Sequence, residues 1–183
     1  MKLYTAAIYT NGLSLTGKYY ERMTPEEQQH RQGIRYILES YHYVNNQAKV
    51  DAMRADGVKV FLDSGAFSAY TQGVKINIDE YCNYIHKNSD IIDIASVLDA
   101  VGDPSATLNN QAIMEENGCK PLPCYHYGED ETYLVNYLNE YEYITRKKSI
   151  EITTLNLNDL NSNTKDISNN EIIKNDLDLL NYN

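Results

Sequence analysis

The chain has 183 residues, with 26 acidic against 16 basic side chains and a net charge of −10. That length suits one domain with a real core, but it falls short of the ~250 residues of a complete TIM barrel. The acidic balance argues against unaided tight binding to a phosphate backbone, which calls for a basic face. The basic residues Lys18, Arg22, Arg31 and Arg35 are interleaved with acids.

In chain order, Leu3 to Tyr9 is apolar and aromatic and stops at Asn11-Gly12, which predicts a buried strand and a loop. Thr24-Pro25-Glu26-Glu27 starts a helix: Thr24 caps, Pro25 suits the first turn and Glu27 completes a capping box. Ile34, Ile37, Leu38, Tyr41 and Val44 continue at helical spacing. A second helix over 46–56 ends at Gly57. Val58 to Leu62 predicts a strand that runs into Asp63-Ser64-Gly65-Ala66-Phe67-Ser68. Asn77 and Glu80 open another helix. Ile91 to Leu98 is a further strand, ending at Asp99. Asp103-Pro104 begins a helix that runs to Gly118. Pro121 to Tyr125 is a strand leading into His126-Tyr127-Gly128-Glu129, a helix follows from Asp130 to Glu140, and Tyr141 to Ile144 opens a fifth strand.

Strands alternating with helices imply parallel pairing through crossovers. With no GxGxxG after the first strand, the order favours a TIM (β/α) barrel over a dinucleotide-binding sheet. The expected class is therefore α/β, an N-terminal barrel portion over 1–145. Residues 146–183 read as an Asn-rich tail, since 151–183 hold nine Asn and no Gly, Pro, Ala, Val or Phe. Ile172, Ile173, Leu177 and Leu180 could form one weak amphipathic helix there. The composition break falls inside a predicted strand, which reads as a truncated or frame-shifted end.

Three cysteines without a leader-like N-terminus give no disulfide framework. No run approaches the ~18 apolar residues of a membrane span. The reading is a cytoplasmic chain without membrane contact.

Functional side chains in parallel β/α folds sit at the C-terminal ends of strands. Three successive predicted strands end in Asp63, Asp99 and His126. The small residues after Asp63 permit close backbone approach to a ligand, and their N–H groups can hold an anion or a carbonyl. Phe67 offers either a flat face for a base or a core side chain. Cys119-x4-Cys124-x-His126 has loose metal-ligand spacing but no evident fourth ligand, so no metal and no cofactor are expected. The 16 Tyr of the first 143 positions read as packing rather than a stacking track, and His30, His42 and His86 as structural.

The segment DSGAFS at 63–68 resembles the DSGG-aromatic-Gln motif of the tRNA-guanine (queuine) transglycosylases. VLDAVGDP at 97–104 is similar to that family's strand ending in LDE with a nearby Pro, and 110–130 resembles the branch of phages and DNA-modification clusters. The resemblance covers residues 1–145. It implies a TIM barrel that exchanges guanine for a 7-deazaguanine base in DNA or tRNA, a pentosyltransferase activity. It further implies that Asp63 is the catalytic acid/base carboxylate and that Phe67 stacks on the base beside Ser64 and Gly65. Asp99 would accept the purine's amino and ring N–H groups, with His126 and Glu129 lining the pocket.

Ala66 and Ser68 depart from the motif, and neither the family's later-strand nucleophile nor its Cys-rich zinc site has a counterpart in this sequence. A half barrel leaves open sheet edges, so a second subunit is a further expected partner. The alternatives are a non-catalytic remnant or base-binding module, and another TIM-barrel hydrolase using Asp63 and Asp99 as paired carboxylates.

Overall fold

The computed structural model describes residues 2–148 and 151–156. The architecture is α/β. Strands β1 (Thr5–Ala6), β2 (Tyr36–Ser40), β3 (Lys59–Asp63) and β4 (Ile92–Ala95) form a four-stranded parallel sheet in that order. Strands β5 (Cys124–His126) and β6 (Tyr143–Lys148) pair in parallel, and β7 (Glu151–Asn156) adds to β6 antiparallel. A parallel bridge between Ser96 and Leu122 joins the end of β4 to the approach to β5. Its hydrogen bonds run from Val97 N–H to Leu122 O (3.0 Å) and from Leu122 N–H to Ala95 O (2.7 Å). Strands adjacent in sequence are thus adjacent in space, and the order does not reverse.

The helices start where the sequence supplies side-chain acceptors. Helix α1 (Pro25–Gly33) carries the expected capping box between Thr24 and Glu27. After the short α2 (Tyr41–Val44), Asn46 caps α3 (Gln47–Ala55). Helix α4 (Ala66–Thr71) follows β3 directly. Asn77 caps α5 (Ile78–Lys87), Asp103 caps α6 (Pro104–Glu116) and Asp130 caps α7 (Glu131–Glu140). Each cap satisfies an N–H group that has no partner within its helix.

Two expectations are corrected. The helical spacing from Ile34 to Val44 does not mark one helix: α1 stops at Gly33, Ile34 is extended, and β2 follows. In β2, Ile37 and Glu39 share the buried face. Glu39 is 1 % exposed because its carboxylate accepts from the Thr10 N–H (3.2 Å) and hydroxyl (2.7 Å), and from the Tyr9 N–H. Burial raises its carboxyl above the usual value even so. The first strand is also shorter than Leu3–Tyr9. Ala7 takes φ +58°, a left-handed backbone that breaks the run and turns Ile8 and Tyr9 into the core.

The main core lies between the sheet and its helices. Ile37, Val60 and Leu62 pack with Val50 and Met53 of α3, Tyr81 and Ile85 of α5, and Met114 of α6. Burying one such aliphatic side chain contributes about 1.5–3 kcal/mol. Tyr125, Tyr137 and Ile144 form a smaller cluster under β5 and β6. On the other face of the sheet Tyr4 meets Phe61 edge-on, with ring centroids 5.7 Å apart. Tyr4, Tyr9, Tyr41, Tyr81, Tyr125 and Tyr137 are all buried, which fits the packing role expected for tyrosine. Arg31 is buried against Asp56 and so leaves the basic surface read around residues 18–35. Within the expected tail, 146–148 and 151–156 are strand, so the irregular stretch does not begin at 146. The weak helix expected over 172–180 lies outside the described residues. Among the described residues no helix is long and apolar enough to cross a membrane.

Candidate functional site

Asp63 ends β3, and the chain turns at once into α4. Its carboxylate accepts the Gly65 N–H at 2.9 Å. The Ser64 N–H donates to the Ser96 hydroxyl at 3.0 Å, tying this turn to the end of β4, three residues before Asp99. The Ala66 N–H reaches the Ser64 hydroxyl at 3.4 Å. The amides expected to hold an anion are therefore occupied by the turn's own side chains and by Ser96.

Gly65 has φ +73°, and a Cβ there would overlap Ser40 Oγ and lie 2.7 Å from His42 Cβ. Only glycine lets the turn approach the end of β2 this closely. The turn also sets Phe67 outward. The residue is 69 % exposed, so the core alternative for Phe67 does not hold.

Asp99 follows β4 and is buried, 8 % exposed. His126 ends β5, with its Nε2 3.9 Å from Asp99 Oδ2 and 3.8 Å from Cys124 Sγ. Its Nδ1 lies 2.9 Å from Glu129 Oε1, while Glu129 Oε2 accepts the His126 backbone N–H at 3.0 Å. Both Glu129 oxygens thus hold the residue whose ring faces Asp99. Tyr125 reinforces the loop by donating its hydroxyl to the Glu129 carbonyl at 2.9 Å. Beneath, Tyr137 is buried near Glu129, and desolvation followed by that carboxylate pushes its hydroxyl up from the ordinary value. Tyr127, next in the chain, is exposed.

Asp99, His126 and Glu129 are therefore brought together. Ser64 and Gly65 form the adjoining turn, and Asp63 stands one strand over, at the end of β3. Cys119 does not join Cys124 and His126. Its sulfur lies 3.5 Å from His86 Nε2 on the helix side, near Cys82. Burial raises both thiols, Cys82 to about 12. Asp99 instead completes a set of donor atoms with Cys124 and His126, all within 4.8 Å of one another. Sequence reasoning missed Cys124 as a partner of Asp99, and Ser96, Ser40 and His42 as neighbours of the turn. The signal for Cys124 was present: residues two apart on a strand share a face.

Comparison with family models, with curated proteins and with solved structures finds no match to this chain.

Proposed function

We propose that the sheet is an arc of a (β/α) barrel whose strand ends bind a purine, and that the chain is a transglycosylase-like protein handling guanine and 7-deazaguanine bases. The unreversed parallel order supports the barrel reading. One observation carries the site: an exposed aromatic residue, Phe67, in the first turn of the helix after β3, and a buried carboxylate, Asp99, in the segment after β4, follow adjacent strands. A ring face suits base stacking, and a carboxylate suits the adjacent N–H donors of guanine's edge.

Exchange breaks the glycosidic C–N bond of one base and forms that of another. The departing guanine gains a proton and the incoming base gives one up. Asp63 is the residue assigned to that transfer. No sugar nucleophile is assigned among the described residues. The polymer, DNA or tRNA, would need a local basic surface or a second subunit, given the net charge of −10.

Calorimetric titration of guanine and 7-deazaguanine, beside Asp99→Ala, tests the reading. Binding lost in the variant supports it, and exchange assays on both polymers then separate an enzyme from a base-binding module. A folded chain that binds neither base overturns it.

A further inference from the structure

We propose that Asp99, Cys124 and His126 are ligands of a zinc-type divalent metal ion, with Glu129 holding His126 in the ligating orientation. The inference goes beyond the base-exchange reading and does not depend on it. It starts from the imidazole. Glu129 Oε1 accepts at 2.9 Å from Nδ1, so in the neutral ring the proton is on Nδ1 and the lone pair on Nε2. That lone pair points into a space bounded by a carboxylate oxygen at 3.9 Å and a sulfur at 3.8 Å. The oxygen distance exceeds that of an ordinary N–H···O bond, and the sulfur distance is that of a long sulfur contact. Electron-rich atoms facing one another at this spacing are stabilised by a positive centre between them.

The spacing suits an ion. Donors bound to one tetrahedral zinc at 2.0–2.3 Å stand about 3.3–3.6 Å apart, so the His126–Cys124 and His126–Asp99 pairs contract by about 0.2–0.6 Å and the whole set, within 4.8 Å, by up to about 1.3 Å on binding. Oxygen, sulfur and nitrogen together form a borderline donor set that favours zinc over magnesium or calcium. Carboxylate support of the far imidazole nitrogen is the usual outer contact of a metal-bound histidine. The protein supplies three ligands from two neighbouring strand ends, which leaves a fourth position of the kind catalytic zinc sites keep open. Asp99 and Cys124 lie within, their residues 8 % and 1 % exposed, and the His126 side chain, 29 % exposed, is the solvent-side ligand. The competing account of the pair is a long S–H···N hydrogen bond from Cys124 to His126.

The test is cobalt(II) titrated into the full chain, followed by visible absorption and then displaced with zinc. The metal site predicts a thiolate-to-cobalt charge-transfer band with intense tetrahedral d–d absorption. Cys124→Ser should remove the charge-transfer band, and Asp99→Ala and His126→Ala, which delete ligands, should each weaken binding more than the Glu129 change does. Glu129→Gln, the mildest change, should weaken it about 10–100-fold. Cys119→Ser, on the helix side, should leave the spectrum unchanged, and far-ultraviolet circular dichroism confirms folding of every variant. A folded chain without the band overturns the assignment, as does a band that survives Cys124→Ser or disappears with Cys119→Ser. Phe67→Ala should retain the band, and its loss there would also overturn the site. Failure to bind guanine in the same preparation bears on the base-exchange reading alone.

Discussion

Among the described residues, the Arg31–Asp56 cluster and the Asp99–His126 cluster are both polar and largely buried, and they are built differently. In the first, Asp56 Oδ2 accepts from the Tyr9 hydroxyl (2.6 Å), the Leu15 N–H (2.9 Å) and Arg31 Nη2 (3.3 Å), and Arg31 Nε donates to the Leu13 carbonyl (2.6 Å). Cation meets anion, and the neighbouring hydroxyl and backbone groups are consumed in pinning the 9–15 segment against α1 and the end of α3. In the second, donor atoms of Asp99, Cys124 and His126 lie within 4.8 Å of one another while Glu129 braces the ring. A cluster that hydrogen-bonds inward and to backbone holds the fold together. The second is the cluster assigned above to a metal ion.

The largest expected effect tests the first cluster. Asp56→Ala strands Arg31 and should cost about 3–5 kcal/mol in urea unfolding. Asp99→Asn should cost clearly less, and an equal loss would make both clusters structural. Zinc at about a hundredfold excess over its Kd should add about 2.7 kcal/mol to wild-type stability and nothing to Cys124→Ser. Thermal unfolding with and without metal reads both.

Gly65→Ala should cost about 1–3 kcal/mol through its positive φ alone, with the overlap on Ser40 adding to it. A neutral result would mean that the Asp63 turn is not held against β2. Phe67→Ala should leave stability within about 0.5 kcal/mol while abolishing guanine binding in calorimetry, and unchanged binding would remove the ring from the site.

The smallest effect is a surface one. The Arg54 hydrogen bond holds the Asp90 carboxyl below its usual range. A depressed carboxylate contributes stability above its ordinary titration range and loses it as pH falls through the folded value. Asp90→Asn should therefore slightly flatten the acid side of the stability profile. Both groups are exposed, so a steep change would contradict the assignment.

Much of this was legible where a side chain acts locally. Thr24 with Glu27, Asn77, Asp103 and Asp130 announce their helices because the capping acceptor is the residue itself. The strand ends at Asp63 and His126 were legible because apolar runs stop there. The strand over Tyr36–Ser40 was not. Its buried face carries Glu39, whose partners Tyr9 and Thr10 come from thirty residues away, so a core position reads as a solvent-facing one. Ile34, Ile37, Leu38, Tyr41 and Val44 then fall by coincidence on a helical repeat. The Asp63 turn's amides were misjudged for a related reason. Ser96, the acceptor of the Ser64 N–H, reaches it only through the pairing of β3 with β4.

The central claim is that binding occurs at the strand ends and not at the Arg31 cluster. Amide NMR spectra of the chain titrated with guanine test it most directly. The account predicts shifts concentrated in 63–67, 97–100 and 124–129, with Tyr9, Leu15 and Asp56 unmoved. Shifts centred on those last three residues, or none at the strand ends, would contradict it.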